Sequence, residues 1–147
     1  MLFADSAQFG ALLPVLALVT WTLVMALWML LTRIPAMRKH KIHPQKAQYT
    51  KDLGPLLPDN IRGIGDNYNH LLEQPTLFYA MAFYIALTGG YDHVTVALLW
   101  AYVLARIVHS LIQATINIVA YRFYAFLAST LILIVIVLKE ILRLFTG

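Results

Sequence analysis

The chain contains no cysteine, which excludes a disulfide framework, a thiolate metal site and a cysteine nucleophile. Any thiol chemistry must use a thiol that a ligand brings in. Charge is scarce as well. Asp, Glu, Lys and Arg make up 12% of the 147 residues, about half the share of an ordinary domain. A soluble protein of 16.6 kDa has too much surface to leave so little of it charged. Disorder, a coiled coil and a soluble nucleic-acid-binding fold are excluded on the same count. What is abundant is apolar: 61% hydrophobic residues and a mean hydropathy of +0.72 indicate a membrane protein.

A helix needs about 20 mainly apolar residues to cross the hydrocarbon core. Three segments meet that need and a fourth is apolar only from Leu71 to Leu87 after a polar start; together they predict an all-α, four-transmembrane-helix bundle in one domain, with spans at about 11–31, 60–87, 94–119 and 123–138. The first carries no charge and lacks the cleavage pattern of a signal peptide. The second holds Pro75, which removes a backbone bond and bends the helix. Thr32 to Asp59 reads as an extended, proline-rich linker. Ala120 to Arg122 reads as the third, very short connection.

Lys and Arg are retained on the cytoplasmic side of a bilayer. If four helices alternate, Arg33, Arg38, Lys39, Lys41, Lys46, Lys51, Arg62 and Arg122 share one side, against Lys139 and Arg143 on the other. Eight against two predicts both termini outside the cytoplasm. Topology and attraction to anionic lipid then account for a pI near 9.5 without a nucleic-acid partner.

Ionisable groups inside a span are costly and usually face a bundle interior. At about 100° per residue, Tyr102, Arg106, His109, Ser110, Gln113 and Asn117 fall on one face of the third span. Arg62, Asp66, Asn69, His70 and Glu73 do the same on the second, with Asn67 and Gln74 adjoining. The topology brings both stripes to one depth, beside Arg122, which predicts a polar pocket opening to the cytoplasm. Plainer readings exist. Glu73 and Arg106 could form a packing ion pair, and Gln113 and Asn117 could be interhelical hydrogen-bond glue. A metal on His70, Glu73 and His109 is disfavoured by the nearby arginines and by the lack of a second Glu-x-x-His pair, so no metal is expected. Asp5, Asp92, His93 and Glu140 read as solvated end or loop residues.

The second-helix run Asn67-Tyr68-Asn69-His70-Leu71-Leu72-Glu73-Gln74-Pro75-Thr76-Leu77-Phe78-Tyr79 resembles that of bacterial members of the MAPEG family, the membrane-associated proteins in eicosanoid and glutathione metabolism. Arg106-x-x-His109 followed by Arg122 is similar to the prostaglandin E synthase branch of that family. The resemblance covers nearly the whole chain. It departs at His70, where Asn is common, at Asp66 and Asn69, where that branch has arginines, at Gln113, where it has a tyrosine, and at Phe123, where it has a serine.

The resemblance implies a homotrimer in membrane lipid, placed here in a bacterial inner membrane, that binds glutathione as co-substrate between subunits. It implies transferase or peroxidase chemistry on hydrophobic small molecules, either electrophiles or lipid hydroperoxides. Arg122 would be catalytic, stabilising the thiolate. Glu73 would hold the glutathione amine and Arg106 a carboxylate, with His70, His109, Asn67 and Gln113 completing the cofactor-binding set. The family also contains a non-enzymatic lipid-binding member, so a non-catalytic lipid-binding or accessory protein is the alternative.

Overall fold

The structure is a computed structural model that describes residues 6–47 and 50–146; Asp5 lies outside them. The chain forms helices α1 (Ser6–Lys39), α2 (Thr50–Leu53), α3 (Asp59–Glu73), α4 (Thr76–Thr88), α5 (His93–Ala114) and α6 (Val119–Thr146), with no strand among the described residues. Three helices, Gln8–Lys39, α5 and α6, are long and apolar enough to cross a membrane. The fourth rod of this membrane bundle is α3 followed by α4.

Pro75 ends α3 rather than merely bending it. Its missing N–H leaves the Leu71 carbonyl without a helical partner, and the Thr76 hydroxyl caps the Glu73 carbonyl at 2.8 Å instead. Gln74 and Pro75 both keep right-handed helical backbone, so the chain advances from α3 into α4 without reversing. Gly89, at φ 75°, closes α4 in the left-handed conformation that glycine adopts freely.

Two boundaries depart from the sequence expectation. The linker expected from Thr32 is shorter and folded: α1 runs on to Lys39, and the returning chain buries Leu53 and Leu57 against Ala36. The third span stops at Ala114, five residues before the expected Val119. Asn117 takes φ 51°, a conformation its short polar side chain tolerates, and its N–H bonds the Ile112 carbonyl at 2.8 Å. That left-handed closure turns the chain at 115–118 and places Arg122 in the first turn of α6 instead of in a loop.

Leu18, Met25, Leu71, Phe78, Leu99, Val103 and Ile136 are buried in one continuous core. The outer faces of α1 and α6, including Leu16, Leu23, Leu27, Leu131, Leu138 and Leu142, stay exposed, as lipid contact demands. Gly63 and Gly65 let α3 approach its neighbours closely. A Cβ at Gly63 would lie 3.0 Å from the Gln113 carbonyl oxygen, and one at Gly65 would strike the Arg33 guanidinium.

At the opposite end, Glu140 is 2% exposed, not solvated as its sequence position suggested. It accepts from Arg143 Nε at 2.9 Å, while Arg143 also holds the Thr88 carbonyl and hydroxyl. Nearby, Asp92 is hydrogen-bonded by Lys139 and by the Thr95 N–H, which hold its carboxyl down at about 2. These pairs tie α6 to the α4–α5 turn.

Candidate functional site

The polar stripe of α5 faces inward. Tyr102, Arg106, His109, Ser110 and Gln113 are all buried, while Asn117 lies beyond the helix and is exposed. The stripe of α3 does not follow suit. Arg62, Asp66, Asn69 and Glu73 are exposed, and the buried face of α3 carries Gly63, Ile64, Gly65, Asn67 and Leu71. A sequence fixes angles between residues of one helix but not the helix's rotation toward its neighbours. Here the glycines set that rotation, because only a small-residue face lets α3 close on α1 and α5. His70, at the edge of that face, is the one α3 stripe residue that meets α5.

His70, His109, Gln113 and Arg122 line one cavity of about 360 Å³, closed on the other side by Val119, Phe123 and Phe126. The His70 and His109 rings lie 4.9 Å apart between centroids, tilted by 34°. His109 Nδ1 is 3.0 Å from the Arg122 carbonyl oxygen, and its Nε2 is 3.2 Å from Gln113 Oε1. Arg122 Nη1 donates to Asn117 Oδ1 at 2.6 Å. The turn at 115–118 thus holds the Arg122 side chain through Asn117 and its backbone N–H through the Ile118 carbonyl at 3.1 Å. The cavity has a nitrogen-rich wall and an aromatic wall.

Deeper in the bundle, Ser110 Oγ accepts from Asn67 Nδ2 at 2.7 Å and from Trp21 Nε1 at 3.0 Å. Tyr102 donates to Gln74 Oε1 at 2.6 Å and stacks on Phe78 at 4.4 Å between centroids. Between these nodes lies Arg106, 0% exposed, with no partner among the described residues for Nε, Nη1 or Nη2. Asn67 Oδ1 is equally buried and unpartnered. A buried guanidinium left unpaired costs several kcal/mol, so this donor set suits a planar anion such as a carboxylate.

Of the expected site residues, Arg122, His70, His109 and Gln113 come together in the cavity, and Asn67 and Arg106 lie in the adjoining interior. Glu73, exposed on α3, does not join them. The packing pair between Glu73 and Arg106 is therefore not formed, nor is the His70–Glu73–His109 trio assembled. Among the described residues no group of three His, Asp or Glu converges as a metal site would require. Sequence reasoning missed Phe126 and the Trp21–Ser110 bond. Phe126 was within reach, because it lies one turn after Arg122 on the same helix face; the Trp21 contact joins residues 89 apart and left no local signal.

The sequence model of the MAPEG family matches residues 11–142. Neither curated proteins nor solved structures give a match. The matched range takes in all four rods, the cavity and both buried polar nodes: the chain belongs to the MAPEG family.

Proposed function

We propose that this protein is a glutathione-dependent transferase or peroxidase of the membrane, acting on hydrophobic electrophiles or lipid hydroperoxides. The observation that carries the reading is the cavity itself, where Arg122 and two imidazoles face Phe123, Phe126 and Val119. A guanidinium beside a thiol favours the thiolate and lowers its pKa from about 8.5. The aromatic wall belongs to α6, whose outer face is apolar, and gives a lipid-borne substrate a route to the sulfur. The unpartnered nitrogens of Arg106 supply the grip for a glutathione carboxylate, and Asn67 Oδ1 a further acceptor. Glutathione also meets the need left by the absence of cysteine, since it brings its own thiol.

The exposed carboxylate of Glu73, with Asp66 and Asn69 beside it, supports assembly as a homotrimer. Polar groups at membrane depth require a partner other than lipid, and a second copy of the chain supplies one. In that assembly Glu73 would take the glutathione amine across the interface. Calorimetry on the purified protein in mild detergent should show glutathione binding, and native mass spectrometry should show three copies. Absence of binding together with copurifying lipid would favour the non-catalytic lipid-binding reading. A ligand-binding monomer would sink the interfacial site.

The charge bias of the loops supports an orientation with both termini outside the cytoplasm and the cavity opening inward, and the resemblance of the second-helix run to bacterial members supports a bacterial inner membrane. Cysteines introduced at Ser6 and Lys41 should react with an impermeant maleimide from opposite sides of the membrane. Labelling of both from one side would contradict this orientation.

A further inference from the structure

Resting on the thiol-transfer reading, we propose that His109 is the base that removes the thiol proton, with its tautomer fixed by the backbone of Arg122. The Arg122 carbonyl can only accept a hydrogen bond, so the His109 nitrogen 3.0 Å from it, Nδ1, carries a hydrogen. In the neutral ring the lone pair then belongs to Nε2. Nε2 faces the Gln113 amide at 3.2 Å, and His109, Gln113 and Arg122 line the same cavity.

Gln113 makes both charge states of the ring tolerable. In the neutral ring the amide turns its NH2 to the lone pair until a bound thiol takes that place; once the proton is on Nε2, Gln113 Oε1 accepts from it, the arrangement of the 3.2 Å contact. A buried group is left unpaired in neither case, which is what a base that gains and loses a proton inside a bundle requires. The charged and titratable groups around the ring are Arg122 from α6, His70 from α3 and Arg106 one turn earlier on α5. The α1 helix meets this stretch through Trp21, which is neutral.

The step is a proton transfer and needs no oxidant. The S–H bond of bound glutathione breaks, the electron pair stays on sulfur beside the Arg122 guanidinium, and an N–H bond forms at His109 Nε2. One residue therefore contributes twice: the side chain of Arg122 stabilises the thiolate, and its carbonyl orients the base.

The test counts protons. Glutathione binding is measured calorimetrically in two buffers of different ionisation enthalpy, with thiolate followed by its ultraviolet band. Wild-type protein should form thiolate while releasing almost no proton to the buffer, because His109 keeps it. His109→Asn retains an amide N–H that can reach the Arg122 carbonyl but has no basic nitrogen. It should keep the fold and the melting temperature, and either form little thiolate or release a full proton as thiolate appears. Its turnover should fall at least about 100-fold with KM for glutathione little changed, and added imidazole should restore part of the rate. A wild-type protein that releases one proton per thiolate would overturn the assignment without any variant. So would a His109→Asn protein that matches wild type in thiolate, proton count and rate. If wild type binds no glutathione, the thiol-transfer reading fails first and takes this assignment with it.

Discussion

Arg122→Ala should lower glutathione-dependent turnover by about 10²–10³-fold, the usual loss when one preorganised donor to a developing anion is removed. Glutathione affinity should stay nearly intact, because the thiol is one contact among several and the carboxylates are gripped elsewhere. The structural basis is the fixed position of the guanidinium. Asn117 Oδ1 holds Nη1 at 2.6 Å, so the charge is aimed before the thiol arrives and little reorganisation is needed. A lysine at this position should rescue only part of the rate, since its point charge cannot satisfy Asn117 and the sulfur in the same planar fork. Steady-state kinetics with a model electrophile and with cumene hydroperoxide, beside calorimetric affinity, separate kcat from binding. An Arg122→Ala enzyme with wild-type kcat would remove the arginine from the chemistry.

Arg106→Met should act in the opposite sense on binding and on stability. Loss of the buried guanidinium should weaken glutathione binding by roughly 2–5 kcal/mol, as truncating one member of a desolvated ionic contact does. The ligand-free variant should nevertheless melt at a higher temperature than wild type. All three guanidinium nitrogens of Arg106 lack partners among the described residues, and an apolar side chain of similar length removes that desolvation cost. Differential scanning fluorimetry with and without glutathione reads both effects at once. Wild type should gain stability on adding ligand and the variant should not. A variant that melts lower than wild type without ligand would show that the guanidinium is already satisfied in the free protein. One that still gains stability from glutathione would place the carboxylate grip elsewhere.

The α5 stripe was legible in the sequence because it is a property of one helix. Tyr102, Arg106, His109, Ser110 and Gln113 share a face by spacing alone, and polar groups amid Ile, Val and Leu have one tolerable direction, inward. The α3 stripe followed the same spacing yet came out exposed, with only His70 reaching the cavity. Its polar face lost the competition for the interior to Gly63 and Gly65, whose small size allows close approach to the Gln113 carbonyl and Arg33. Glu140 misled in the other direction. A carboxylate near a chain end reads as solvated, but Arg143 one turn later and the close approach of Gly90 enclose it.

By itself the sequence determined that the chain is helical and lives in a membrane, because apolar run length and charge scarcity are sums over residues that no packing can alter. It also set where the fourth rod breaks, since the missing N–H of Pro75 is a covalent fact. Tertiary structure alone decided which polar residues meet. The left-handed turn at Asn117 brought Arg122 back over His109, and the rotation of α3 sent Glu73 outward while it turned Asn67 inward. Those outcomes depend on how closely helices distant in sequence can approach, and that is fixed by the shapes of both faces together rather than by the period of either.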